Sequence, residues 1–185
     1  MRKPDTMKYV LFFVVAVFCS QAYANKVIGV LDGDTIDVLE NGKSLRIRLA
    51  NIDAPEKSQP FGQASKKSLS DLCYGKDATY IPGTIDRYGR TVAVIKCDGI
   101  EANMTQVVRG LAWVYEHYNK DVRLPALEKI ARANRTGLWH DNAPTPPWEY
   151  RHKSLEQVPQ GSSECLVGPH GGRYQLVDGK KHYGC

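Results

Sequence analysis

The sequence predicts a mainly β, α+β fold: a five-stranded OB-like Greek-key barrel with three helices, followed by a small disulfide-stapled C-terminal hairpin. Three observations predict it. Short β-branched or alternating runs recur at residues 27–31, 35–39, 45–49, 78–81 and 91–96. The Asp32-Gly33 and Asn41-Gly42 turn dipeptides separate the first three. A helical stretch then falls between the third and fourth runs, which is the strand-helix order of such a barrel.

The elements follow in order. The first three runs make a β-meander. Residues 62–72 form a helix with Leu69 and Leu72 on one face and Gly75 beyond its end. The fourth and fifth strands are joined by the polar turn Asp86-Arg87-Tyr88-Gly89-Arg90. Met104, Val107, Val108 and Leu111 have the i, i+3, i+4, i+7 spacing of a helix with one buried face. A third helix spans residues 124–134, with Pro125 suited to its first turn and Gly137 past its end.

Residues 1–24 stand apart from the fold. Arg2, Lys3 and Lys8 precede an apolar run over residues 9–18, and Ala22-Tyr23-Ala24 offers small residues for cleavage. That pattern is a secretory signal peptide cleaved after Ala24, too short for a membrane anchor, and it implies a secreted or periplasmic bacterial protein. Four cysteines remain, an even number suited to an oxidising compartment. A hairpin of the fourth and fifth strands centred near Ile85 sets Cys73 opposite Cys97, which leaves Cys165 for Cys185.

The predicted organisation is thus a globular domain over residues 25–141, a Pro/Gly/Ser-rich linker over 142–163, and a basic tail over 164–185. Within the tail, residues 173–177 and 180–183 flank Asp178-Gly179 as a second hairpin. Its Cys165, His170, His182 and Cys185 lack regular metal-site spacing, which favours a disulfide over zinc. The formal charge of +5 and a pI near 8.9 favour a polyanionic partner without requiring one.

Three clusters carry chemistry. Asp34 starts the second strand and Asp53 ends the third, so both lie at the open end of the Asn41-Gly42 hairpin. Two carboxylates there make a hard-cation site of the kind that Ca²⁺ occupies. Glu56, three residues on and restrained by Pro55, is placed to act as a general base. Arg48 and Arg90 add fixed positive charge of the kind that phosphodiester cleavage requires on the equatorial oxygens. Each cluster also has a plainer reading as a turn, a cap or a solvated loop. Regular pairing sets Asp34 opposite Leu49 and turns Arg48 to the other face, so a bulge or sharp bend is needed for the two to meet.

Four motifs in order resemble the thermonuclease family, the staphylococcal-nuclease-like enzymes. They are Val30-Leu31-Asp32-Gly33-Asp34-Thr35, the run from Arg46 through Arg48 and Asp53-Ala54-Pro55-Glu56, then Asp86-Arg87-Tyr88-Gly89-Arg90, and Val108-Arg109-Gly110-Leu111-Ala112. The resemblance covers about residues 26–139. It implies a Ca²⁺-dependent nuclease acting on DNA and RNA with little sequence preference and leaving 3′-phosphate ends. Asp34, Asp53 and the Ala54 carbonyl match the family's calcium ligands. Glu56 matches its general base, and Arg48 and Arg90 match its phosphate-clamping arginines. Arg87 and Tyr88 occupy positions associated with the terminal phosphate and base of a bound nucleotide, and Tyr118 matches a tyrosine that stacks on the base. Two departures stand out: Ala54 replaces a threonine of the best-known member, and residues 57–63 are shorter than its flexible loop. No protein partner is expected, so the chain reads as a monomer. The alternative from another class is a non-catalytic OB-fold nucleic-acid-binding protein.

Overall fold

The computed structural model describes residues 25–156, 165–168, 171–177 and 180–184. The signal-peptide assignment and Cys185 lie outside the described residues.

Five strands close a barrel. They are β1 (Asn25–Val30), β2 (Thr35–Glu40), β3 (Lys43–Leu49), β5 (Asp77–Ile85) and β6 (Thr91–Cys97). Antiparallel neighbours run β3-β2-β1-β5-β6, and a parallel β3–β6 pairing completes the ring. Closure removes the sheet edges. Asn41 and Gly42 both adopt positive φ, 49° and 77°, as a two-residue hairpin turn demands. The interior is apolar: Ile36, Val38, Ile47, Leu49, Ile95 and Leu69 are fully buried.

Two-residue strands flank the barrel. β4 (Ile52–Asp53) pairs with β8 (Trp113–Val114), and β7 (Ile100–Glu101) extends the sheet beyond β6. Helix α1 (Gly62–Cys73) lies between β4 and β5, as the sequence predicts. The Cys73–Cys97 disulfide forms, though by a different route from the one expected. Cys97 pairs with Ala78 across the sheet, five residues beyond Cys73, because Ile85 pairs with Thr91 and the hairpin centres about three residues past Ile85. Cys73 reaches Cys97 from the last turn of α1, outside the sheet.

Helix α2 (Ala102–Val108) corrects the periodicity argument. The expected apolar face ran through Met104, Val107, Val108 and Leu111. The buried residues are instead Ala102, Asn103, Gln106 and Val107, and Val108 is 48% exposed. The helix stops before Leu111 because Gly110, at φ 61°, turns the chain away. Backbone groups of the barrel and of α1 partner most of its buried polar atoms, Gln106 Oε1 being left without a hydrogen bond among the described residues. Asn103 Oδ1 accepts the Ile95 N–H at 2.9 Å, and Asn103 Nδ2 donates to Ala50 O at 2.8 Å. Gln106 Nε2 donates to Gly33 O at 2.8 Å and Ser65 O at 3.0 Å. These amides tie α2 to the loops at one end of the barrel.

Helix α3 (Leu124–Ala133) follows as expected. A further helix, α4 (Pro147–Glu156), lies within the stretch that the sequence reads as linker. Proline is compatible with a helix's opening turn, and Trp148 supplies an anchor: its ring stacks on Tyr115 at 5.5 Å and meets Trp113 edge-on at 5.7 Å. Among the described residues there are therefore four α-helices where the sequence predicts three. The tail forms β9 (Leu166–Val167), β10 (Arg173–Val177) and β11 (Lys180–Tyr183), so its hairpin gains a third strand. Cys165 is disulfide-bonded. Its expected partner, Cys185, is not among the described residues.

Candidate active site

The site grows from two bends of backbone. Asp32 Oδ1 accepts the Asp34 N–H at 3.1 Å, closing a small turn ahead of β2. Gly33 is needed there because a Cβ would fall 1.9 Å from Ser65 Oγ and 2.7 Å from the Ala54 side chain. The turn therefore packs hard against α1 and the β4 loop, which delivers Asp34 to the chain beyond β3. Asn51, at φ 68°, makes the second bend and sends Ile52 and Asp53 back along the barrel.

The two aspartates meet. Asp34 is 5% exposed and Asp53 3%. Asp34 Oδ2 accepts the Ala54 N–H at 2.6 Å, which holds the strand start and the β4 loop together. Arg48 sits between the carboxylates, its Nη2 3.1 Å from Asp34 Oδ2 and 2.8 Å from Asp53 Oδ1. Its Nη1 donates to Leu49 O at 2.7 Å and Ile52 O at 2.8 Å. Most of its fork is thereby committed.

Of the two expected routes past the parity problem, a bulge or a sharp bend, the structure takes the bend. Thr35 pairs with Arg48 in an unbroken β2–β3 register, and Leu49 N donates to Asp34 O at 2.7 Å. The guanidinium instead curls back over the bend that follows β3, and Asp34 leans towards Ala54 from its turn. A long side chain and a bend achieve what the sheet alone does not.

Electrostatics follow from burial. Desolvation pushes the Asp34 carboxyl up to about 6, against the pull of Arg48 and with repulsion from Asp32 adding to it. Burial also raises Asp53, opposed by Arg48 and Arg151. Desolvation of Arg48 would lower its pKa, yet Asp34 and Asp53 together hold it above the usual arginine value. Carboxylates kept this dry favour a cation between them. Their oxygens are hard donors suited to Ca²⁺ or Mg²⁺. Among the described residues no group of three or more His, Cys, Asp or Glu side chains is arranged to hold a metal. A bound ion would complete its shell with backbone carbonyl and water, as hard cations do.

Glu56 lies beside this pair. Its N–H donates to Gln59 Oε1 at 3.1 Å, and Gln59 Nε2 donates to Thr145 O at 2.6 Å. Arg151 of α4 bridges Glu56 and Asp53, with Nη1 2.8 Å from Glu56 Oε1 and Nη2 2.8 Å from Asp53 Oδ2. Sequence reasoning missed Arg151 entirely. It lies 95 residues beyond Glu56 in a proline-rich stretch, and no local signal marks it.

The remaining candidates form separate groups. Arg90 Nη2 ion-pairs with Asp86 Oδ2 at 2.7 Å, and its guanidinium faces the Tyr88 ring at 5.4 Å. Arg87 also faces Tyr88, at 5.3 Å. Arg90 directly precedes β6, two residues before Val92, whose backbone lies beside Arg48. Tyr118 is 60% exposed and stands edge-on to Tyr115 at 4.9 Å. Among the described residues no hydrogen bond or ion pair joins Arg87, Arg90 or Tyr118 to the carboxylate cluster.

Comparison with known proteins identifies the family. A family model described as staphylococcal nuclease homologue matches residues 46–141. An uncharacterized endonuclease of Escherichia coli is 46% identical over 146 residues, covering 78% of this chain and 95% of the relative. One of Haemophilus influenzae is 42% identical, covering 82% and 86%. A micrococcal nuclease of Shigella flexneri is 38% identical, covering 76% and 87%. With a closed barrel, a paired-aspartate site and these relatives, the chain belongs to the staphylococcal nuclease homologue family and is a nuclease, a hydrolase of phosphodiester bonds.

Proposed function

We propose that this nuclease is a Ca²⁺-dependent endonuclease, exported to the periplasm or medium, that cuts DNA and RNA with little sequence preference and leaves 3′-phosphate ends. One observation carries the reading: two nearly dry aspartates converge from separate strand ends beside a glutamate and an arginine.

Asp34, Asp53 and the Ala54 carbonyl would hold the ion, which when bound polarises a water and neutralises charge on the phosphate. The protein supplies the rest. Glu56 takes the proton of the attacking water on Oε2, which has no partner among the described residues; Oε1 is engaged by Arg151. As the water oxygen bonds to phosphorus, the bond to the 5′ oxygen breaks and the phosphate stays on the 3′ side. Arg48 Nε–H has no acceptor among the described residues, so that donor and its charge serve the growing negative charge. Arg90 exchanges its Asp86 partner for a phosphate oxygen. Arg87, Tyr88 and Tyr118 contact the neighbouring phosphate and base. Phosphate contacts position the strand without reading its sequence, which accounts for broad specificity.

The test is digestion of single-stranded DNA and of RNA by the purified mature protein, with Ca²⁺ and with EGTA. Cleavage in Ca²⁺ alone, yielding ends that a polymerase extends only after phosphatase treatment, is expected. Undiminished cutting in EGTA would overturn the calcium reading.

A further inference from the structure

Arg151 lies ten residues beyond the part of the chain that the family model matches, yet it makes the shortest contacts to Glu56 and to Asp53 Oδ2. Its helix does not meet the site by one side chain alone. Trp148 stacks on Tyr115, Tyr150 Oη lies 3.2 Å from Ser58 Oγ, and Thr145 O accepts from Gln59, the residue that holds the Glu56 backbone. The segment is seated on the loop that carries Glu56, and it aims a guanidinium at the edge shared by the two carboxylates.

That guanidinium has the charge and the partners a bound cation would have. Among the described residues, the carboxylates of Asp34, Asp53 and Glu56 face two guanidinium groups, Arg48 and Arg151, within ion-pair distance. Arg48 is braced by two carbonyls of its own bend, whereas Arg151 reaches Asp53 and Glu56 from a helix outside the barrel. Arg151 is 35% exposed, so withdrawal towards solvent strands no buried charge on it.

We propose that Arg151 is an internal competitor for the cation: it holds Asp53 and Glu56 until Ca²⁺ binds, and cation entry requires its guanidinium to let go. The inference rests on the calcium reading above. A residue that builds a cation site weakens binding when removed, and a residue that sits in the cation's place strengthens it. The sign of one measurement therefore separates the two roles.

The experiment is calorimetric titration of Ca²⁺ alone into the mature protein and into Arg151→Gln, Arg151→Lys and Lys153→Gln. Lys153 is exposed on the same helix, so its variant loses equal charge away from the carboxylates. A dication about 5 Å from a guanidinium is disfavoured by about tenfold even at the dielectric of water. Arg151→Gln is expected to bind Ca²⁺ about tenfold more tightly, Arg151→Lys to lie between, and Lys153→Gln to match wild type. Equal or weaker binding by Arg151→Gln, with wild type binding normally, overturns the inference and leaves the calcium reading standing. No binding by wild type or any variant overturns both. Thermal unfolding of each variant without added cation checks that affinity is compared between folded proteins.

Discussion

Replacing Arg48 with methionine probes the convergence of the two aspartates through stability, without reference to turnover. The variant keeps an unbranched stem reaching about as far as Nε and removes the charge lying 3.1 Å from Asp34 and 2.8 Å from Asp53. Both aspartates are almost fully buried, so each is left with reduced compensation. Removing one partner of a buried ion pair costs about 3–5 kcal/mol. Arg151 still faces Asp53 and Ala54 N–H still faces Asp34, which points to the lower half of that range. The acceptors Leu49 O and Ile52 O also lose their donor, each at about 1 kcal/mol. With a urea slope of about 2 kcal/mol/M, the unfolding midpoint should fall by about 2.5–3 M. Added Ca²⁺ should stabilise the variant more than wild type, because a dication restores the missing charge. A midpoint shift below about 0.3 M at neutral pH, unaffected by Ca²⁺, would refute the claim that Arg48 holds two buried carboxylates together.

Other predictions address the remaining groups. Glu56→Gln should lower turnover by about 10²–10⁴ while single-stranded DNA binding stays within about twofold, read by gel-based cleavage and by anisotropy; near-normal turnover contradicts the base assignment. Asp86 yields a pH signature. Burial pushes its carboxyl up, but the N–H groups of Arg90 and Tyr88 and the Arg90 guanidinium outweigh that and hold it below its ordinary 3.8. A depressed native value contributes stability above the unfolded value and loses it as pH falls. The stability gap between wild type and Asp86→Asn should be full near pH 6 and close below about pH 4, measured by urea unfolding, and a gap constant across that range contradicts the pairing.

Much of the barrel was legible because its signals are local. Asn41-Gly42 fixes a hairpin through two positive-φ positions, and alternation then places Ile36, Val38 and Ile47 inside. The Asp34–Asp53 cluster was legible for a related reason, since both residues flank the same hairpin. What failed was whatever depended on distance. The face of α2 was misread because apolar periodicity is blind to amides that find partners across the barrel, as Asn103 and Gln106 do with Ile95, Ala50 and Gly33. The Cys73–Cys97 pair was right and its register wrong, because parity along a hairpin says nothing about a cysteine presented by a helix end. Arg151 was invisible. Prolines at 144, 146 and 147 suggest a spacer, and only the docked Trp148 reveals that α4 returns to the site.

The most direct measurement is a crystal structure of the mature protein grown with Ca²⁺ and collected at a wavelength that reveals calcium by its anomalous signal. The account predicts one ion touching a carboxylate oxygen of Asp34 and of Asp53 and the Ala54 carbonyl, at about 2.3–2.6 Å, with the Arg151 guanidinium withdrawn from Asp53. An ion bound elsewhere, with Arg48 and Arg151 still closed over empty carboxylates, would contradict it.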